Sequence, residues 1–326
     1  MKTVVIQKFG GPEGLVIVEV SNPSPSHGEV LIAIEAISVG YQDAMIRSGA
    51  LNSLGFREGH ILGGEVAGRV TAVGDGVDPI WIGRRVWAFS GSGGGYAEMT
   101  VAHEKAIIEI PDALSCVQAV ALGSNGIVAH YALRHAHFTH GESLLIRGAA
   151  GPIGIMLVQL AARKGASAIA VTTSSEVRGN RLLELGGTHI LDRTGAGGPN
   201  SPESYDVIID IVGGTDMPEF FKKLKPNGRM VMVGAVGGFP PDDFAKTMLS
   251  TFQKSLTFST FSANTVSELN RRETAVHLFE LASKGELEIM IHEVLPLDQA
   301  VLAHQKLERS EAFGRLLLSP IVSQSL

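Results

Sequence analysis

The sequence predicts an α/β protein in two parts, a small antiparallel β-domain and a doubly wound parallel sheet. Three observations lead there. Short apolar runs separated by turn residues fill positions 1 to about 120, and from about 143 strand-like and helix-like segments alternate. Between them, Leu144-Leu145-Ile146-Arg147 runs into Gly148-Ala149-Ala150-Gly151-Pro152-Ile153-Gly154 and then straight into an apolar helical pattern, which reads as strand, tight turn and helix.

The first part opens on Met1-Lys2-Thr3-Val4-Val5-Ile6, a run too short for a signal peptide and suited to a first strand. Further strands are predicted at 15–20, 30–37, 65–73, 85–89 and 106–109. Turn signals such as Gly10-Gly11-Pro12, Gly74-Asp75-Gly76 and the glycines around 91–95 separate them. That spacing fits a small antiparallel barrel. Residues 113–135 read as a helix with apolar residues on most faces, hence buried. The alternating part then predicts strands at 144–147, 168–172, 190–191, 205–211, 228–234 and 255–261. Helices are predicted at 154–164, 176–185, 217–224 and 267–284. The β-like tail at 288–294 and 314–318 is expected to return to the first domain. The expected division is 1–120 with 263–326 for the β-domain and 121–262 for the parallel sheet. Segment 195–204, rich in Gly, Pro and Ser, reads as a solvated loop.

Composition narrows the class. The chain has 326 residues, 44% hydrophobic residues and a net charge of −6 with a pI near 6.0. That charge gives no basic surface for nucleic acid or an anionic membrane, and no apolar run reaches membrane-spanning length. One cysteine, Cys116, cannot form an internal disulfide, so a reducing cytoplasm is the expected compartment.

The turn at 149–154 has the form A-x-G-x-x-G, with Ala149 where a dinucleotide fingerprint usually carries its first glycine. Gly151 would let the backbone approach a phosphate and Gly154 would let the helix pack on the strand. The first amides of the helix would face a pyrophosphate. The alternative is an ordinary tight strand–helix turn. At the end of the second strand, where an acid would bind the ribose hydroxyls of NAD, stand Thr173, Ser174 and Ser175, with no acid before Glu176. Thr173 and Ser174 can donate to a 2′-phosphate. Arg178 can grip that phosphate as a fork, and Arg193 can lie over the adenine, unless both arginines are plain surface charges. This pattern favours NADPH over NADH.

Several segments together resemble the zinc-free quinone oxidoreductase branch of the medium-chain dehydrogenase/reductase superfamily. They are residues 38–49 (Gly40, Tyr41, Asp43, Arg47 and Gly49 among them), Leu62-Gly63-Gly64-Glu65-Val66-Ala67-Gly68, the turn at 148–154, Asp206 through Gly214 and Gly228 through Gly234. The resemblance implies a GroES-like catalytic barrel, a Rossmann domain and a homodimer joined through the strand at 256–261. It implies further cofactor contacts at Val212, Gly213, Gly234, Ala235, Phe261, Ser262 and Arg315. The superfamily's zinc enzymes carry Cys and His ligands at the positions of Gly40 and Gly64, and their four-cysteine loop is missing here. No zinc is therefore expected. His130, His135, His137 and His140 lack the spacing of a helical face and read as histidines at a helix end and loop.

The branch's usual Asn, Tyr and Thr in the pocket are Gly40, Met45 and Val128 here. Without a Lewis acid, the expected chemistry is hydride transfer from NADPH to a small hydrophobic acceptor, either a quinone or a C=C bond conjugated to a carbonyl. Tyr41 and Asn125 are the candidate proton or hydrogen-bond donors. Gly40, Met45, Leu62 and Phe239 are the candidate acceptor pocket, with the last three making it apolar. Asp43 and Arg47 are expected to brace their segment as an ion pair, and Glu65 to be structural. Two other readings are an enoyl-thioester reductase and a non-catalytic NADPH-binding protein.

Overall fold

The computed structural model describes residues 1–91 and 93–321. The chain begins with β1 (Lys2–Ile6), β2 (Leu15–Glu19), β3 (Glu29–Ser38), α1 (Tyr41–Ser48), β4 (Glu65–Val73), β5 (Arg85–Phe89), β6 (Met99–His103), β7 (Ile107–Glu109) and α2 (Cys116–His135). The middle carries β8 (Ser143–Arg147), α3 (Pro152–Arg163), β9 (Ala168–Thr172), α4 (Glu176–Glu184), β10 (His189–Leu191), β11 (Tyr205–Asp210), β12 (Leu224–Met232), α5 (Ala245–Ser250) and β13 (Thr257–Thr260). It ends with α6 (Glu268–Ser283), β14 (Ile291–Pro296), α7 (Ala300–Glu308) and β15 (Arg315–Ser319). Two compact units form, Met1–Ser124 with the chain from Glu268 onward, and Asn125–Ser267. Their boundary falls inside α2.

In the first unit a sheet runs in the order β14-β15-β3-β4-β5-β7, with β6 also paired to β3. All its pairs are antiparallel except β14–β15. The alternation of β3 sends Val30, Ile32, Ile34 and Ala36 into the core, where they meet Val66, Val70, Val86, Leu316 and Leu318. The apolar periodicity did not mark β6, α1, α5 or α7. Helix α1 is made by its ends. The Asp43 carboxylate accepts the Gly40 amide at 2.9 Å, and Gly49, at φ +87°, closes the last turn with its amide on the Ile46 carbonyl.

The expected Asp43–Arg47 ion pair does not form. Asp43, in the first turn, faces back and accepts amides from Gly40 and Gly63. Arg47, one turn on and 1% exposed, reaches α7, pairs with Glu308 and donates to the Gly10 carbonyl. Its Nε donates to His304 Nδ1 at 3.2 Å, which leaves the His304 proton on Nε2 for the Tyr96 hydroxyl at 3.0 Å. Burial, reinforced by the Arg47 charge, lowers the His304 pKa to about 3.

The second unit is a six-stranded parallel sheet in the order β10-β9-β8-β11-β12-β13. β8 and β9 are buried along their whole length, as strands covered on both faces must be. Tyr205, Met217, Phe220, Phe221 and Met230 fill one side of the core. The helix expected at 217–224 is a 3-10 helix, Met217–Lys223, and β12 starts directly after it at Leu224. β12 ends at Met232, short of Gly234, where a Cβ would lie 2.8 Å from the Ile211 carbonyl oxygen. Among the described residues no helix is long and apolar enough to cross a membrane.

Because His304 is held neutral, the folded state resists a proton that the unfolded chain accepts below about pH 6.5. Stability is therefore lost as pH falls from about 6.5 towards 3, by at most about 5 kcal/mol. In His304→Asn, whose carbonyl can replace Nδ1, urea titrations across that range are expected to lose this component of the slope.

Candidate active site

The end of β8 carries the candidate cofactor turn of the second unit. Gly148 stands at φ +82°, a left-handed conformation, and leads through Ala149 and Ala150 to Gly151, the N-cap of α3, with Pro152 at the helix start. Gly154 is demanded by packing, since a Cβ there would meet the Ala149 Cα at 2.5 Å and two backbone oxygens at 2.7 Å. Ala149, fully buried, takes the first glycine position without conflict. The first-turn amides of α3, including those of Ile153 and Gly154, have no carbonyl a turn back to bond and can take an anion.

At the end of β9, Ser175 caps α4 by accepting the Arg178 amide at 3.3 Å, and the Thr173 hydroxyl accepts the Ser175 amide at 3.2 Å. Arg193, after β10, donates to the Ser174 hydroxyl at 3.1 Å. Thr173, Ser174, Arg178 and Arg193 thus gather at one rim of the sheet. The nearby acid, Asp192, is taken up by its own loop. It accepts from the Thr194 hydroxyl and the Thr194 and Ala196 amides, and these bonds lower its pKa, the Thr194 hydroxyl most.

Beyond β11 and β12 two loops lie together. The Gly237 amide donates to the Val212 carbonyl at 2.7 Å and the Gly214 amide to the Gly238 carbonyl at 2.8 Å, so Val212, Gly213, Gly234 and Ala235 share one ledge. Phe239, at its outer end, is 78% exposed. Phe261 donates its amide to Met232 and packs against the His135 ring, while the Ser262 hydroxyl accepts the Asn264 amide.

In the first unit a pocket of about 90 Å³ is lined by Ser38, Gly40, Gln42, Asp43, Gly64, Glu65, Phe89, Gly91, Ser124 and Arg315. Glu65, 3% exposed, accepts the Trp87 indole N–H at 2.9 Å and the Ser124 amide at 2.8 Å, and its other oxygen pairs with Arg315 at 3.4 Å. Gly123 lets α2 reach this pair, because a Cβ there would overlap Trp87 and Glu65. Burial raises the Asp43 pKa to about 6, against the opposing pull of the Gly40 and Gly63 amides and Arg315.

Of the residues expected to hold the acceptor, Gly40 lines this pocket. Leu62 is fully buried in the barrel core, and Met45 is half-buried on α1 outside the lining. Tyr41 does not line the pocket either. Its hydroxyl bonds Ser310 near Glu308, and burial followed by the Glu308 charge raises its pKa. Asn125 is buried on α2. Arg315, expected at the cofactor, lies against Glu65 beside Gly40. Trp87, Gly123, Ser124 and His304 escaped the sequence reading, because each acts through a partner far along the chain. His135 and His137 are exposed, and among the described residues no group of three or more His, Cys, Asp or Glu could hold a metal ion.

A six-stranded parallel sheet of dinucleotide-binding order, joined to an antiparallel unit built from both ends of the chain, defines an oxidoreductase of the medium-chain dehydrogenase/reductase fold. Residues 26–112 match the alcohol dehydrogenase GroES-like domain, and 185–318 match the zinc-binding dehydrogenase family. A quinone oxidoreductase of Mus musculus is 30% identical, covering 98% of this chain and 97% of its own. The structure of an Escherichia coli quinone oxidoreductase complexed with NADPH is 25% identical with a TM-score of 0.86, covering 98% of this chain and 100% of that one. A quinone oxidoreductase from Pseudomonas syringae is 26% identical with a TM-score of 0.87, over 98% and 99%. The chain belongs to the quinone oxidoreductase family of that superfamily.

Asp43 binds a proton more tightly in the folded state than in the unfolded one. Its contribution to stability is present below about pH 4 and is lost as pH rises through about 6, a change of roughly 3 kcal/mol. Denaturant titrations of wild type and Asp43→Asn between pH 4 and 8 are expected to diverge in that sense, wild type losing ground as pH rises.

Proposed function

We propose that the chain is a zinc-independent, NADPH-dependent oxidoreductase that transfers hydride to a quinone or to a C=C bond activated by a carbonyl. The observation that carries this reading is the rim of Thr173, Ser174, Arg178 and Arg193, with Arg193 bonded to Ser174 and no acid at the end of β9. In this reading the amides of α3 hold the pyrophosphate and the rim residues hold the 2′-phosphate. The ledge of Val212, Gly213, Gly234 and Ala235, with Phe261 and Ser262, supports the rest of the cofactor. Bound NADPH supplies the hydride.

Zinc does not fit the first unit's pocket. A side chain at Gly40 would grow towards Asp43 and the Arg315 guanidinium, 3.7 Å from its Cβ, and a cation there opposes a second cation. Asp43 is already bound by two backbone amides. Arg315, oriented by Glu65, is the pocket's cationic hydrogen-bond donor for the oxyanion that forms as a quinone or enone accepts hydride. Phe89 offers a flat wall to the acceptor. We propose also that the protein is cytoplasmic, in keeping with its one cysteine, and a homodimer, a reading supported by β13, which ends the parallel sheet as an edge strand.

The test is NADPH oxidation with an ortho-quinone, an α,β-unsaturated ketone and an enoyl thioester in parallel, with NADH as comparison. Turnover of the quinone or ketone, faster with NADPH and unchanged by a chelator, is the expected result. Turnover of the thioester alone, or NADPH binding without turnover, overturns it. Arg315→Gln is expected to lower kcat for the accepted substrate about 100-fold while the NADPH Kd stays at the wild-type value. A weaker NADPH Kd with unchanged kcat would assign Arg315 to the cofactor.

A further inference from the structure

The last residue of β8 is a fully buried arginine, and the cofactor-binding reading leaves it without a task. Arg147 and Asp210, at the ends of neighbouring strands, have side chains 2% and 0% exposed and are bonded at 2.7 Å. A buried pair of this kind is weak as a source of stability, since desolvation offsets its attraction. Its geometry is directed instead at one loop. The same Arg147 nitrogen donates to the Gly213 carbonyl at 3.1 Å, and the other terminal nitrogen donates to Asp216 at 3.0 Å. The free oxygen of Asp210 accepts the amides of Val212 and Gly213 at 2.8 and 3.1 Å. The Arg147 guanidinium carbon lies over the Phe220 ring, 3.9 Å from its centre. Gly213 and Gly214, at φ +63° and +80°, hold conformations that they could leave at little cost, so the loop needs this external fixing. The loop also touches the dinucleotide turn, because a Cβ on Gly148 would meet Val212 Cγ2 at 3.1 Å.

We propose that Arg147 is a positioning residue for cofactor binding. Through Asp210 and the Gly213 carbonyl it fixes the loop 211–214, and it sets that loop in register with the turn at 148–151 into which the same strand runs. The inference rests on the NADPH reading above and adds the residue that shapes the second cofactor loop.

The test compares wild type with Arg147→Lys, Arg147→Met and Phe220→Leu. The readouts are hydrogen exchange of the Val212 and Gly213 amides without ligand, the NADPH Kd, and kcat and KM with an ortho-quinone. Lysine keeps the buried charge but has one nitrogen for three acceptors. Arg147→Lys is expected to speed exchange at both amides and raise the NADPH Kd and KM about tenfold, with kcat at saturating NADPH within about twofold of wild type. Arg147→Met, where it folds, is expected to go further in the same direction. Phe220→Leu, which removes only the ring beneath the guanidinium, is expected to lower stability and leave the other readouts unchanged. If Arg147→Lys loses stability but keeps wild-type exchange and wild-type Kd, the side chain is merely structural and the proposal is overturned. If wild type itself fails to bind NADPH, the cofactor reading falls and takes the proposal's cofactor role with it. Loop exchange in Arg147→Lys then still reports whether Arg147 holds the loop.

Discussion

The arrangement of the second unit depends on one close approach, that of α3 to the end of β8. The strand sits in the middle of the sheet with β9 on one side and β11 on the other, so the chain reverses its direction of growth there, the switch point at which open α/β sheets bind ligands. Gly154 sits against the Ala149 backbone, which brings the first helical amides down onto the strand end. The rim beyond β9 and the ledge beyond β11 and β12 are both placed relative to this contact. A glycine that packing demands thus sits inside the helix, while the nominal first glycine of the fingerprint is replaced by alanine without strain.

Buried carboxylates recur in both units and are treated alike. Asp43 takes two backbone amides, Glu65 an indole N–H and a backbone amide, and Asp210 two backbone amides before its arginine is counted. Each is thereby tied to a specific loop. Burial still raises the pKa of Asp43 and of Asp210, so these bonds compensate desolvation only in part. What such carboxylates contribute is loop geometry more than net stability: Asp43 and Glu65 line the first unit's pocket, and Asp210 holds the loop beyond β11.

Local patterns carried much of the fold. β4, β5 and β9 lie where the apolar runs put them, and the small residues at 149–154 marked the strand–helix turn. Helix α1 was missed because its signals are its ends, Asp43 facing back to Gly40 and the left-handed Gly49, and its apolar content is slight. α7 and β6 similarly show little local periodicity. The sequence marks the candidate site's backbone turns, where local geometry decides them. It was less legible where a side chain's direction is set by a distant partner. Tyr41 is drawn to Ser310 and Glu308, Leu62 into the core and Arg47 to His304, pairings more than two hundred residues apart for the first and last. No window of the sequence contains both members.

Those same long separations impose an order on biosynthesis. The parallel-sheet unit is one continuous stretch, Asn125–Ser267, and its strands are complete once that stretch has left the ribosome. The unit begun first finishes last. β3 waits for β15, which pairs Leu317 with Ser38, and Arg47 stays without His304 and Glu308 until α7 is made. Nascent chains therefore leave the end of β3 at Ile37 and Ser38 without its β15 partner, and Arg47 without His304 and Glu308, through most of translation, and any chain cut short before α7 keeps both gaps.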